Sequence, residues 1–290
     1  MTIPIIRGLS EIAARYDGFV LDIWGVVHQG GPAYPEVVDC LAQLKKLDRP
    51  VVFLSNAPRR AVRVERLLES KGISATLHRG VISSGEIARL SLEARRESAL
   101  ASLGPRYLSL GAERDGDLLD GLDFQEVTDP SDADFILAIG LDDARSSVAH
   151  YETVLTAAAK RDLPLLCVNP DLVVVRLGVR ELCAGALAAR YKELGGRVHY
   201  FGKPFEEAYP PTLARLGLTD RQRVLAVGDG LETDIKGAQK AGLATLLVTG
   251  GLLADALGID RLNVPAPEAL EAACREAGAV PDGAIATLRW

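Results

Sequence analysis

The stretch Gly18-Phe-Val-Leu-Asp22 decides the fold. It is a continuous apolar run that stops at a carboxylate, and a strand apolar at successive positions has both faces buried, as strands of a parallel sheet do. Pro50-Val-Val-Phe-Leu-Ser55 and Arg223-Val-Leu-Ala-Val-Gly-Asp229 repeat the design. Helical patterns separate these runs. Residues 36–47 carry one, and residues 60–71 carry another, with Val64, Leu67 and Leu68 on one face and Gly72 as the stop. Strand, helix, strand, helix with short joints predicts an α/β fold with a doubly wound parallel sheet.

The middle of the chain has its own alternation. Ser83-Ser84-Gly85-Glu86 reads as a capping box that opens a helix. Strands follow near residues 107–110, 135–139 and 165–168, with helices near 148–160 and 184–194. The block ends before Gly202-Lys203-Pro204, where the first kind of signal resumes. The expectation is an α/β insertion over residues 80–201, within a core assembled from residues 1–79 and 202–290.

Composition narrows the function. With 290 residues, 48% of them hydrophobic, the chain can bury a proper core. Its formal net charge is −6 and its basic residues are scattered among acids, so nucleic acid is not an expected partner. Met1-Thr2-Ile3-Pro4 lacks a signal-peptide layout and the apolar runs are too short to span a bilayer, so no membrane association and a cytoplasmic location are expected. The four cysteines, Cys40, Cys167, Cys183 and Cys274, lie far apart and read as buried reduced thiols. Neither they nor the four histidines have the spacing of a zinc site.

The chemistry should sit where the apolar strands stop, because open parallel sheets bind ligands at the carboxyl ends of their strands. Asp22, Ser55-Asn56 and Asp229 end three strands, and Lys203 stands at the return from the insertion. Two carboxylates, a hydroxyl, an amide and an ammonium suit phosphate chemistry. A carboxylate that attacks a phosphate dianion must overcome like-charge repulsion, which calls for a divalent cation and a lysine. Asp22 and Asp229, with a backbone carbonyl from the turn after Asp22, that of Trp24, would hold Mg²⁺, and Asp234 would position it. The Ser55 hydroxyl and nearby N–H groups would grip phosphoryl oxygens, while Lys203 would neutralise charge developing in transfer.

Asp22-Ile-Trp-Gly-Val-Val, Leu54-Ser-Asn, Gly202-Lys-Pro and Gly228-Asp-Gly-Leu-Glu-Thr-Asp234 resemble the four ordered motifs of the haloacid dehalogenase superfamily. The insertion between the second and third motifs resembles the cap of its class IIA branch, as do Ser83-Ser-Gly-Glu86, Asn169-Pro-Asp171 and the run from Cys183 to Ala189. The resemblance covers nearly the whole chain. It implies an aspartate-nucleophile hydrolase of a small phosphorylated substrate, with substrate choice residing in the cap. Caps of that branch often mediate dimers, so a homodimer through the cap is a further expectation.

One position departs from the pattern. Phosphatases of the superfamily carry a second aspartate two residues after the nucleophile, where it protonates the leaving oxygen and then activates water; this chain has Trp24. Indole exchanges no proton usefully at neutral pH. Losing a general acid and base typically forfeits about 10²–10⁴-fold in rate, so a good leaving group, or another residue such as His28, would have to compensate. Trp24 itself either lines the pocket or packs beneath the cap. Three activities stay open: a magnesium-dependent hydrolase with altered acid/base chemistry, a non-catalytic binder of phosphorylated ligands, and halide displacement, since dehalogenases carry an aromatic residue at the position of Trp24.

Overall fold

The computed structural model describes residues 3–95, 98–143 and 146–290 of the chain. Met1 and Thr2, on which the signal-peptide reading partly rests, lie outside the described residues. In chain order the strands are β1 (Gly18–Leu21), β2 (Val51–Ser55), β3 (Val81–Ser83), β4 (Arg106–Leu110), β5 (Gln125–Val127), β6 (Phe135–Ala138) and β7 (Leu165–Cys167). They continue as β8 (Val173–Arg176), β9 (Val179–Leu182), β10 (Val198–Tyr200), β11 (Val224–Gly228), β12 (Ala244–Val248) and β13 (Gly283–Ile285).

Six strands form one sheet in the order β13-β12-β11-β1-β2-β3, all parallel. Both ends of the chain therefore build it. Its strands are buried on both faces: Phe19, Leu21, Val51, Phe53, Leu225 and Val227 pack on one side, and Val20, Val52, Leu54, Val224 and Ala226 on the other. That two-sided burial is the physical reason the sequence lacks alternation here. β3 is a member of this sheet, registered on β2 through Phe53↔Val81 and Ser55↔Ser83, so the sheet runs past residue 79.

The second sheet is parallel too, in the order β10-β7-β6-β4-β5, and β8 and β9 form a separate antiparallel hairpin. The sheets do not stand apart. One apolar cluster joins Val52, Leu54 and Ile82 of the first sheet to Tyr107, Phe135 and Leu137 of the second. Ile87, Ala88 and Leu92, from a helix between the sheets, complete it. All four cysteines are buried and free. Among the described residues no helix is long and apolar enough to cross a membrane.

Helix α1 spans Pro35–Lys46 and α2 spans Ala61–Ser70, each within a residue of its expected bounds. Val37, Cys40, Leu41 and Leu44 recur at helical spacing and bury α1 against the first sheet. In α2, Val64 and Leu68 are buried, whereas Leu67 borders a cavity. Helix α3, Ser84–Ala94, starts as the sequence predicts, with the Ser83 hydroxyl accepting from the Glu86 N–H at 3.2 Å. The reciprocal half of the capping box is differently used. The Glu86 carboxylate accepts from Arg60 Nε at 2.7 Å and from the Ala61 N–H at 3.0 Å, so it caps α2. A free N–H at the first turn of α2 and a guanidinium compete better for it than a local contact.

This cross-capping carries a stability prediction. Glu86→Ala should lower unfolding stability by about 1–3 kcal/mol, since it leaves Arg60 and the Ala61 N–H without their partner, and Ser83→Ala by about 1–2 kcal/mol. Urea unfolding followed by circular dichroism measures both; a Glu86→Ala protein as stable as the parent would refute the assignment.

Candidate active site

Asp22 and Asp229 stand together because β1 and β11 are adjacent and in register. Leu21 pairs with Val227, and the Asp22 N–H donates to the Val227 carbonyl at 2.9 Å. From β1 the chain proceeds outward on one side to β2 and β3, and returns on the other to β11, β12 and β13. The two acids thus flank the switch point, where a ligand crevice opens. Gly25 (φ +81°) lets the loop after Asp22 pass against Asp229, and a Cβ there would collide with the Asp229 carboxylate. One Asp229 oxygen accepts from the Leu252 N–H at 2.9 Å.

Asp234 arrives on a wide helical turn, Leu231–Ile235. The Gly230 carbonyl accepts from both the Asp234 and Ile235 N–H groups, at 2.8 and 3.1 Å, and the Asp234 carboxylate accepts from the Gly230 N–H at 3.0 Å. Such turns are frequent at functional sites. Lys203 is delivered from the far end of the insertion. Its backbone is clamped by Asn56, whose Oδ1 accepts from the Lys203 N–H at 2.8 Å and whose Nδ2 donates to the Lys203 carbonyl at 3.0 Å. Gly202 (φ +101°) makes room for that clamp, since a Cβ would stand 2.8 Å from Ser84 Cβ.

Lys203 Nζ donates to Asp22 Oδ1 and to Asp234 Oδ1, each at 2.6 Å. Oxygens of Asp22, Asp229 and Asp234 lie within 4.8 Å of one another, and all four side chains are buried. Three carboxylates face one ammonium. Burial, reinforced by Asp234 and opposed by Lys203, pushes the Asp22 carboxyl up to about 7. Burial, then Asp22 and Asp234, raises Asp229 as well. For Lys203 burial alone would lower the value, but Asp22, Asp234 and Asp171 raise it, so the ammonium stays charged. A buried, oxygen-only donor set with negative charge left over fits a hard divalent cation.

The remaining expected residues are placed less simply. Ser55 is buried at the cavity edge, its Oγ accepting from the Ala57 N–H at 3.3 Å. The Asn56 amide is committed to Lys203 and also donates to Asp171 Oδ1 at 2.9 Å. Trp24 sits between the cavity and the β8–β9 hairpin. Its ring borders a cavity of about 240 Å³ shared with Asp22, Ser55, Asn56, Asn169 and Asp171, and it packs under the β8–β9 hairpin. The indole N–H donates to the Val175 carbonyl at 2.9 Å and the Arg176 guanidinium lies 4.8 Å over the ring. His28 cannot easily stand in as an acid. Its Nδ1 accepts from the Gly30 N–H at 3.0 Å, and burial, with Lys71 and Arg176 nearby, pushes it down to about 4.

Asp171, which the sequence marks only as part of a cap-like stretch, also lines this cavity. The signal was present: Asn169-Pro-Asp171 follows the apolar strand β7, the same design that marks Asp22 after β1.

A parallel α/β sheet with a second sheet over its switch point and an Asp-Asp-Asp-Lys knot beneath defines a hydrolase-type site. The chain belongs to the haloacid dehalogenase superfamily of hydrolases: residues 19–125 match the haloacid dehalogenase-like hydrolase family and residues 200–260 a second, HAD-hydrolase-like family. A crystal structure of a haloacid dehalogenase-like hydrolase from Brucella suis superposes with a TM-score of 0.82 at 28% identity, covering 98% of this chain and 100% of that one. The chain is 24% identical over 239 residues to the 5'-nucleotidase YutF of Bacillus subtilis, covering 82% of this chain and 88% of that protein. It is 28% identical over 251 residues to the D-glycerol 3-phosphate phosphatase of Mycobacterium tuberculosis, covering 84% of this chain and 66% of that protein.

The charge imbalance predicts a pH dependence. With Asp22 raised from 3.8 to about 7, the folded state holds a proton that the unfolded chain has released across that window. Stability should therefore fall as pH rises from about 4 to about 7 in the presence of a chelator. Asp229→Asn, which removes one of the crowded charges, should flatten the slope. Chemical denaturation at a series of pH values measures it, and a chelated protein that gains stability across this range would contradict the assignment.

Proposed function

We propose that this chain is a cytoplasmic, magnesium-dependent phosphatase of a small phosphorylated molecule, working through a phosphoryl group carried on Asp22. The observation that carries this reading is Lys203 Nζ, 2.6 Å from both Asp22 and Asp234 in a buried site. The ammonium opposes the rise that burial imposes on Asp22 and orients one of its oxygens, which leaves the other free to attack phosphorus. The Ser55 hydroxyl and the N–H groups of the following turn grip phosphoryl oxygens, and Lys203 offsets the charge that spreads over them in transfer. Bound magnesium, held by Asp22, Asp229 and the Trp24 carbonyl with Asp234 in support, would neutralise phosphate charge as it meets the nucleophile.

In this reading the cap begins after β3 and runs to residue 201. Its second sheet closes the cavity opposite Asp22, so it selects the substrate and excludes water, and it carries a homodimer interface. The named phosphatase activities of the relatives support the class of reaction. Halide displacement accounts for the site poorly, because a cluster of three carboxylates would repel an anionic haloacid.

Turnover of 4-nitrophenyl phosphate should require magnesium and vanish in Asp22→Asn. Calorimetric titration should find that Asp229→Ala loses magnesium binding and that Asp234→Asn weakens it about 10–100-fold. Hydrolysis that survives Asp22→Asn would refute the proposal; specific binding of a phosphate ester without turnover would favour a binding protein.

A further inference from the structure

The site as described has a nucleophile and a charge clamp but no proton donor. Trp24, at the position expected to supply one, has its N–H engaged by the Val175 carbonyl, and the His28 ring is held neutral. Among the described residues, four carboxyls line the cavity: Asp22, Asp115, Asp171 and Glu181. Asp22 attacks. Asp115 is held by Arg59, with contacts of 2.5 and 3.3 Å, and Glu181 by Arg176 at 2.7 Å. Both carboxylates are thus committed to guanidinium groups.

Asp171 differs from the others. Its side-chain partner is the neutral Asn56 amide, 2.9 Å from Oδ1. It sits in the loop after β7, at the carboxyl end of the second sheet, and its N–H donates to the Asn169 side chain at 3.2 Å, which fixes the turn. Asp22 ends a strand of the first sheet, so the two carboxyls approach one cavity from opposite sheets. In an in-line displacement the leaving oxygen lies on the side of phosphorus away from the nucleophile. The groups that act on Asp171 are Lys203, which favours its charge, and Asp234 and Asp22, which oppose it; the thiols of Cys167 and Cys183 feel its charge in turn. Burial dominates and raises it.

We propose that Asp171 is the general acid and base of this enzyme, acting from the second sheet in place of the residue that Trp24 displaces. The inference rests on the phosphatase reading above. In the first step Asp22 forms a bond to phosphorus as the ester P–O bond breaks, and the Asp171 proton passes to the leaving oxygen, releasing an alcohol. In the second, the Asp171 carboxylate takes a proton from water as that water's oxygen attacks phosphorus. The P–O bond to Asp22 breaks, inorganic phosphate leaves, and both aspartates return to their starting states. Trp24 becomes a positioning residue. Its N–H holds Val175, four residues beyond Asp171 on the same segment, and so holds the acid over the cavity.

Asp171→Asn tests this without removing the contact to Asn56, since an amide oxygen can still accept it. Turnover of a glycerol or sugar phosphate should fall about 10²–10⁴-fold. With 4-nitrophenyl phosphate, whose leaving group needs no proton, the variant should release one equivalent of nitrophenol in a burst and then stall, because water attack lacks its base. Trp24→Asp in the Asp171→Asn background should restore steady-state turnover. An Asp171→Asn enzyme within about threefold of wild type on alkyl esters overturns the inference, and so does an equal loss of the nitrophenol burst that Trp24→Asp does not rescue, the mark of a structural role. In either case wild-type turnover that Asp22→Asn removes leaves the phosphatase reading standing. Wild-type protein without such turnover defeats both.

Discussion

One buried ammonium holds this site together. Lys203, 3% exposed, bridges Asp22 and Asp234 while Asp229 crowds the same space, so the protein keeps three carboxylates where their mutual repulsion and burial both oppose them. Breaking a buried pair from one side typically costs about 3–5 kcal/mol, because the stranded charge remains. Every nearby element serves that arrangement. Two adjacent strands bring Asp22 and Asp229, a wide turn brings Asp234, and Asn56 grips the peptide of Lys203 at both its N–H and its carbonyl. A cluster so charged is an unstable resting state by itself and a suitable one for a cation and a phosphate, which is the sense in which its strain reads as function.

The sheet and its acids were legible because both follow from burial. Strands covered on two faces must be apolar throughout, and an acid that ends such a strand stands out, as Asp22 and Asp229 do. What the pattern could not reveal depends on partners distant in sequence. Ser83 caps α3 through a local contact and was readable, whereas Glu86 reaches back to Arg60 and Ala61 on α2. β3 is only three residues long, too short for periodicity to assign to one sheet or the other. Asn56 looks like a phosphate ligand from its place after β2, yet its amide is occupied by a lysine 147 positions away. Asp171 stood out only as part of a cap-like stretch, because an Asn-Pro-Asp tripeptide by itself usually marks no more than a turn.

Trp24 couples the site to the hairpin above it. Indole supplies no proton, but its N–H ties the loop after Asp22 to β8, and its ring supports Arg176. The Leu177 N–H donates to the Gln29 carbonyl at 2.9 Å and Arg180 reaches Asp255 at 2.7 Å, so hydrogen bonds from Trp24, Leu177 and Arg180 fasten the hairpin to the first sheet's side. Trp24 thus supplies one of the hydrogen bonds that hold the hairpin over the cavity.

The central claim is that Asp22 carries the phosphoryl group, and trapping it tests that claim most directly. Protein mixed with magnesium and 4-nitrophenyl phosphate, quenched in acid within the turnover time and digested, should yield a peptide spanning Asp22 with a phosphoryl mass increment, absent from Asp22→Asn. Release of phosphate with no adduct on Asp22 at any quench time, or an adduct on a different side chain, would contradict the account.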